Sequence, residues 1–395
     1  MQLGFKTKLK TTLFQQQLFA QHAGFARWVY NWGLATMENF YQSGVKLSYR
    51  DARKFYTNVV KPEYPWMTQM SSRVYVYAFE QLKEAYKRFF NGIALKPTFK
   101  KKGKSKDSFT VDWNGKVKRT DGKSIKLPAP LGIVCTFEQL PSVDIKKATI
   151  SHGADGWYIS FNYEIPDISV GQLDECNHVD DIVGVDLGIN SLAVAVSLNT
   201  VKTFDNPKKY RKSKKQLARL QRQLQRKTKG SKGHLKAKNR LARYHKHIAD
   251  TRSHTINHMT TTICKNHAVV VIENLNVEGM MQNHKLAGAV ADCGFGEIER
   301  QFQYKTQKFA HRLIQVDRFY PSSQLCPKCG AKQKMPLNLR TYKCDCGYER
   351  DRDENAAFNL CLYGWEHNGF QTGELPGSDR GGLKLPTAPV EAIKE

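Results

Sequence analysis

Residues 181–188, Asp-Ile-Val-Gly-Val-Asp-Leu-Gly, carry an apolar run into one carboxylate, Asp186, and then through Gly-Ile-Asn into SLAVAVS at 191–197. Two such runs joined by a tight turn predict a pair of strands. A further run, AVVVI at 268–272, is continuously apolar, as in a strand buried on both faces, and it too ends on an acid, Glu273. A third acid, Asp353, lies in RDENAAFNL at 352–360, where Ala356, Ala357 and Leu360 begin a helical pattern. One acid at a strand end is commonly just a solvated turn residue. Three in the order strand, strand, helix suggest more, because adjacent strand ends bring distant acids together. Carboxylates gathered in that way repel one another and resist desolvation. A divalent cation removes that cost, and two cations about 4 Å apart can activate water and stabilise the leaving oxygen of a phosphodiester. Oxygen donors suit Mg²⁺ or Mn²⁺. The order Asp, Glu, Asp also speaks against a transposase of Asp-Asp-Glu type, in which Glu comes last.

Outward from the third acid, Cys326-Pro-Lys-Cys329-Gly and Cys344-Asp-Cys346-Gly form two close pairs. Two knuckles of this kind can offer four thiolates tetrahedrally to Zn²⁺, with Gly330 and Gly347 permitting the turns. Redox chemistry at one pair is the alternative; the presence of two pairs favours structural zinc. The five other cysteines, Cys135, Cys176, Cys264, Cys293 and Cys361, are scattered, and this usage fits a reducing compartment.

Between Pro207 and His247 stand 17 Lys and Arg and no Asp or Glu. Leu217, Leu220 and Leu224 give the segment a narrow apolar stripe by which to dock, and two helices broken near Gly230–Gly233 are predicted for 207–266. Solvated helices normally mix signs, so single-sign charge beside three acids reads as a phosphate-tracking surface. The whole chain of 395 residues carries a net charge of +26, which points to a polyanion such as nucleic acid as partner. A helix at 296–313 and a strand at 313–319 should follow, and 366–395 reads as a disordered tail.

The first 166 residues read differently. A strand at 1–10, a helix at 13–42 and a helix at 71–91 capped by Ser71 or Ser72 are expected, with a loop containing Pro62 and Pro65 between the helices. Aromatic residues Trp28, Tyr30, Trp32, Tyr49, Tyr75 and Tyr77 either stack on bases or, more simply, fill the core of this module. Residues 96–107 form a basic linker. SFTVDW, SIKLP, KKATISH and GWYISFNYEI then give short strands at turn spacing, suggesting a small β-barrel, and an acidic linker is expected at 167–180. No stretch of about 18 apolar residues is present and the N-terminus has no apolar signal core, so an intracellular protein is expected.

Four segments together resemble the TnpB family: GVDLGINSLAVAVS, VVVIENLNVEGM, the block YPSSQLCPKCG…YKCDCGYERDRDENAAFNL, and the early GFARWVYNWGL. The likeness extends over about residues 1–364. TnpB proteins are transposon-encoded, RNA-guided DNA nucleases that look like ancestors of compact type V CRISPR effectors. The resemblance implies a multidomain α+β chain. A wedge β-barrel (1–10 and 101–178) would carry a helical recognition insert (11–100). A RuvC, or RNase H-like, α/β nuclease domain (179–321 and 351–365) would hold an inserted zinc ribbon (322–350). The family's RuvC acids fall on Asp186, Glu273 and Asp353, the last chosen over Asp351 because it directly precedes x-Asn-Ala-Ala; Arg352 and Asn355 would support them. Zinc would sit on Cys326, Cys329, Cys344 and Cys346.

Implied partners are a guide RNA from the transposon end and a double-stranded DNA target beside a short target-adjacent motif. Arg27, Arg219, Arg222, Arg226, Arg240, Arg243 and Arg352 are candidate nucleic-acid contacts. A cytoplasmic, nucleoid-associated monomer without a membrane partner is expected. The chain departs from the family in its shortened Cys344–Cys346 pair, and in Ser323-Gln324-Leu325-Cys326 where Ser-Lys-Thr-Cys is frequent. The competing functions are an RNA-guided DNA-binding repressor and an unguided transposase or resolvase.

Overall fold

A computed structural model of the chain describes residues 1–166, 181–336 and 338–367. The acidic linker, Cys176 and all but the start of the expected tail lie outside the described residues. The chain forms two compact units divided at Pro166.

In the first unit, strand Gln2–Lys10 leads into helix Leu13–Gln42. Thr12 caps that helix with a reciprocal box: its hydroxyl accepts from the Gln15 backbone N–H at 3.2 Å, and the Gln15 side chain accepts from the Thr12 N–H at 3.1 Å. The expected loop before the next helix is instead mostly helical. Helix Tyr49–Phe55 continues as a π turn, Tyr56–Val60, then Lys61–Glu63, and a 3₁₀ turn spans Pro65–Gln69. Pro65 opens its 3₁₀ turn, where no intrahelical N–H is required, whereas Pro62 lies at the end of the continuous helical run, directly after the π turn. Helix Ser72–Phe90 follows; Ser71 occupies its N-cap position, yet its hydroxyl makes no capping bond and its N–H donates to His22 Nε2.

Six antiparallel strands form one sheet in the order Ser108–Asp112, Lys147–Gly153, Gly156–Glu164, Gln2–Lys10, Ile133–Thr136, Ser124–Lys126. Phe19, Phe25, Val29 and Phe79 of the helices share one apolar core with Phe109, Val111, Ile150 and Ile159 of the strands. Trp28, Trp32 and Tyr75 pack against that core and Tyr30 is buried, so these aromatics are mainly structural. Arg27 donates to Asp107 at 2.5 Å, which ties helix Leu13–Gln42 to the start of the strands.

In the second unit a five-stranded sheet has the order Val201–Asp205, Ser191–Val196, Ile182–Leu187, Val269–Glu273, Arg312–Val316. The first three are antiparallel neighbours; the last two run parallel to Ile182–Leu187. Side chains alternate along a strand, and both central strands are covered on both faces. Val183, Val185, Val270 and Ile272 face Ile256, Met259 and Ile263 of helix Lys232–Asn266, together with Ile298 and Phe302 of helix Phe295–Lys308. Ile182, Val269 and Val271 face Leu360, Cys361 and Trp365 of helix Arg352–Glu366. The continuous apolar runs follow from this double burial. The strand expected at 313–319 is Arg312–Val316, because the helix before it stops at Lys308. No helix among the described residues is long and apolar enough to cross a membrane.

Candidate metal centres and nucleic-acid surface

The two-residue period of the strands decides where the first two acids point. Asp186 is in phase with Ile182 and Gly184, and Glu273 is in phase with Val269 and Val271, so both face helix Arg352–Glu366. In the parallel register Ile272 pairs with Val185, which sets the two acids side by side at the strand ends. The helix lies unusually close here. A Cβ on Gly184 would meet the Ala357 carbonyl, and one on Gly364 would stand 2.3 Å from Val271 Cγ2. Asp353 lies four residues before Ala357, one turn up the same helix face, at the end near Asp186. All three expected acids therefore converge on one end of the sheet.

Their electrostatics reflect this. The Asp186 carboxyl is pushed up to about 8, chiefly by burial and then by Glu273 and Asp353. Burial also raises Glu273, and burial with the charge of Asp351 raises Asp353. The carboxylates are not all within 4.8 Å of one another; among the described residues only the four cysteines form so tight a group of ligand atoms. Asp351 has a different task. It is the N-cap of the helix, and its Oδ1 accepts from the N–H groups of Asp353 at 2.8 Å and Glu354 at 3.2 Å. Arg340 stands 3.8 Å from Asp353. The Arg352 guanidinium donates to the Pro336 carbonyl at 3.3 Å, and Arg350 pairs with Glu354 at 3.2 Å.

Composition and periodicity gave no warning of two contacts. Ser322, in the 3₁₀ turn Ser322–Gln324, donates its hydroxyl to Glu273 Oε1. Asn359 donates to the carbonyls of Ser322 at 2.7 Å and Leu325 at 2.9 Å, and Asn355 also reaches Leu325 at 3.0 Å. A faint signal was available: two asparagines four apart, Asn355 and Asn359, in the mainly apolar stretch NAAFNLCL, both of them buried in the structure.

The four cysteines meet as expected. Cys326 Sγ lies 3.5 Å from Cys346 Sγ, and Cys329 Sγ 3.5 Å from Cys344 Sγ, with all four sulfurs within 4.8 Å of one another. Zinc–thiolate bonds of about 2.3 Å in a tetrahedron place sulfurs about 3.8 Å apart, so the cluster fits Zn²⁺ despite the short second pair. Gly330 and Gly347 both take positive φ, +74° and +84°. The thiols of the cluster differ: the Tyr348 backbone N–H pulls Cys346 down to about 7, while burial pushes Cys326 up to about 12, so the metal-free cluster is not uniformly thiolate. Hairpin strands Thr341–Lys343 and Glu349–Asp351 lead from this cluster directly into the helix bearing Asp353.

Helices Lys209–Gln225 and Lys232–Asn266 turn Leu217 and Leu220 inward and leave Arg219, Arg222, Arg226, Arg240 and Arg243 exposed. Asp292 accepts from the N–H groups of Tyr210 at 3.1 Å and Arg211 at 3.2 Å, which closes the start of the first of these helices. Arg27 and Arg352, the other two candidate contacts, already hold protein partners.

Three family descriptions match the chain: "Probable transposase" over residues 160–284, "Cas12f1-like, TNB domain" over 295–360, and "Helix-turn-helix domain" over 1–46. Residues 1–46 hold one strand and one long helix. A Streptomyces pristinaespiralis protein named "Putative RNA-guided DNA endonuclease" is 31% identical, with 91% of this chain and 89% of the relative covered. Its Escherichia coli counterpart InsQ, under the same description, is 31% identical with 98% of both chains covered. A solved Cas12f1–sgRNA–target DNA complex is similar at 16% identity and a TM-score of 0.48, covering 89% of this chain and 83% of that one. With about a third of positions shared along almost the full length of these two relatives, the protein belongs to the TnpB family.

Proposed function

We propose that the protein is an RNA-guided endonuclease that hydrolyses double-stranded DNA beside a short target-adjacent motif, using one RuvC-type site. The observation that carries this reading is the convergence of Asp186, Glu273 and Asp353 on one end of the sheet, where burial and then the two neighbouring carboxylates hold Asp186 well above the usual carboxylate range. The names of the two 31%-identical relatives support the RNA-guided assignment. The strand order, three antiparallel strands followed by two parallel ones, suits the RNase H-like class to which RuvC belongs. On this reading the six-stranded sheet and the helices of the first unit would serve as the wedge and recognition modules of the family layout.

The donor set fits Mg²⁺ or Mn²⁺, since all three groups are carboxylates and a pair of ions about 4 Å apart suits acids set wider than a single-ion cage. When bound, such ions supply an activated water and stabilise charge on the leaving oxygen. The chain's own part is positional. Asp186 and Glu273 present their carboxylates from rigid strand ends, and the helix presents Asp353 while Asp351 satisfies its terminal N–H groups. The exposed arginines of the two basic helices hold phosphates, and the cysteine cluster, loaded with zinc, fixes the segment between Glu273 and Asp353. The RNA is assigned to the transposon end, and the protein to the cytoplasm as a monomer.

Sequencing the nucleic acid that co-purifies with the protein, and challenging the complex with a plasmid library of randomised flanks, tests the reading. A discrete transposon-end RNA and motif-dependent cutting abolished by Asp186→Ala are expected. Cutting by Asp186→Ala, or the absence of any discrete RNA, would overturn it.

A further inference from the structure

We propose that Ser322, held in place by Asn359, is a positioning residue that aims Glu273; this rests on Glu273 being an ion ligand. Ser322 is 4% exposed, and its hydroxyl is spent on Glu273 Oε1. That bond fixes one carboxylate oxygen of a side chain that otherwise turns about three torsions, leaving the second oxygen in a defined direction. Ser322 is itself fixed. Its N–H donates to the Tyr320 carbonyl at 2.9 Å and its carbonyl accepts from Asn359 at 2.7 Å. Asn359 and Asn355 also share the Leu325 carbonyl, one residue before Cys326. Both asparagines belong to the helix that presents Asp353. One short polar network therefore joins the second acid, the helix of the third acid and the first cysteine. Groups that hydrogen-bond to metal ligands from behind typically change metal affinity about 10- to 100-fold when removed.

The test uses the full chain with its RNA. Mn²⁺ affinity is read by electron paramagnetic resonance of the free ion, and cleavage is read across Mg²⁺ concentrations. Ser322→Ala is expected to weaken Mn²⁺ binding about 10-fold, to lower kcat while DNA affinity stays at the parent value, and to regain part of its rate at raised Mg²⁺. In a Glu273→Ala background the same substitution should change Mn²⁺ affinity less than about 2-fold, since the pair is coupled. Ser322→Cys, a weaker donor of similar size, should give a milder loss and guards against a packing defect. Parent-like Mn²⁺ affinity and cleavage in Ser322→Ala, with Asp186→Ala inert, would overturn this inference alone. So would a Ser322→Ala effect that persists in full without Glu273. Cleavage that survives Asp186→Ala overturns the nuclease reading itself and takes the role of Ser322 with it.

Discussion

A Cβ on Gly184 would lie 2.0 Å from the Ala357 carbonyl oxygen and 2.4 Å from the Cys361 nitrogen, so the strand of Asp186 and the helix of Asp353 pack backbone to backbone. Neither obstacle is a side chain that can swing aside. Gly184→Ala should therefore push the helix off the sheet, cost about 3 kcal/mol of stability and abolish cleavage. The nearest obstacles to Gly364→Ala are side-chain atoms of Val271 and Ile182, and it should cost about 1–2 kcal/mol. Urea unfolding of the two variants checks the order; equal stability would contradict this account of the packing.

The two aspartates flanking Arg352 should separate cleanly by substitution. Asp351→Asn keeps a good N-cap and should leave both folding and cutting nearly intact, while Asp351→Ala costs about 1 kcal/mol. Asp353→Asn should fold normally and fail to cut. Thermal melts beside cleavage assays distinguish the roles, and a dead Asp351→Asn would reverse the assignment.

The metal-free protein should respond to pH through Asp186. Its folded carboxyl is raised to about 8, from about 3.8 in the unfolded chain, so the folded state keeps a proton that the unfolded chain has released. Stability without metal should thus fall as pH rises through that window, from about 4 to about 8. A cation takes the carboxylate form. Mg²⁺ affinity should accordingly climb up to about pH 8 and level off above it, and binding at pH 7 should release a proton. Calorimetry in buffers of different ionisation enthalpy measures that release, and Asp186→Asn should remove it.

Zinc should co-purify at a single equivalent per chain and be lost on Cys326→Ser. The small core around the cluster consists mainly of Tyr342, Tyr348 and Cys326, too little apolar surface to hold the ribbon alone. Chelation should therefore expose Tyr342 to solvent, measured as a rise in accessible tyrosine fluorescence, and lower the melting temperature.

Replacing Arg219, Arg222, Arg226, Arg240 and Arg243 with alanine should weaken RNA and DNA binding across all sequences. Each arginine that contacts a phosphate should reduce the slope of log K against log salt by about 0.7–0.9. Fluorescence anisotropy over a KCl series gives the slope; an unchanged slope would remove this surface from the interface.

Much of the second unit could be read directly from the chain. Double burial turns Ile182–Leu187 and Val269–Glu273 into unbroken apolar runs, and both runs end on their acids. The cysteine pairs carry their own spacing. Residues 49–69 read as a loop because Pro62 and Pro65 look like breakers, although Pro62 only ends the run that begins at Tyr49 and Pro65 opens a 3₁₀ turn. The first unit's helices and strands share a core through Phe19 and Phe109, whose rings lie 6.0 Å apart, a pairing across 90 residues that no local pattern reveals. Ser322 was invisible for a related reason: a serine is distinguished only by the carboxylate it meets in space.

Helix Arg352–Glu366 carries the third acid and covers the sheet face on which the other two stand. It is also the last described element that a ribosome would release. A nascent chain still missing it has Ile182, Val269 and Val271 open to solvent and only two of the three carboxylates. Until that helix is released the growing chain should not cut, and a stop between residues 267 and 352 would yield a protein that keeps its basic helices, Lys209–Gln225 and Lys232–Asn266, but cannot cut.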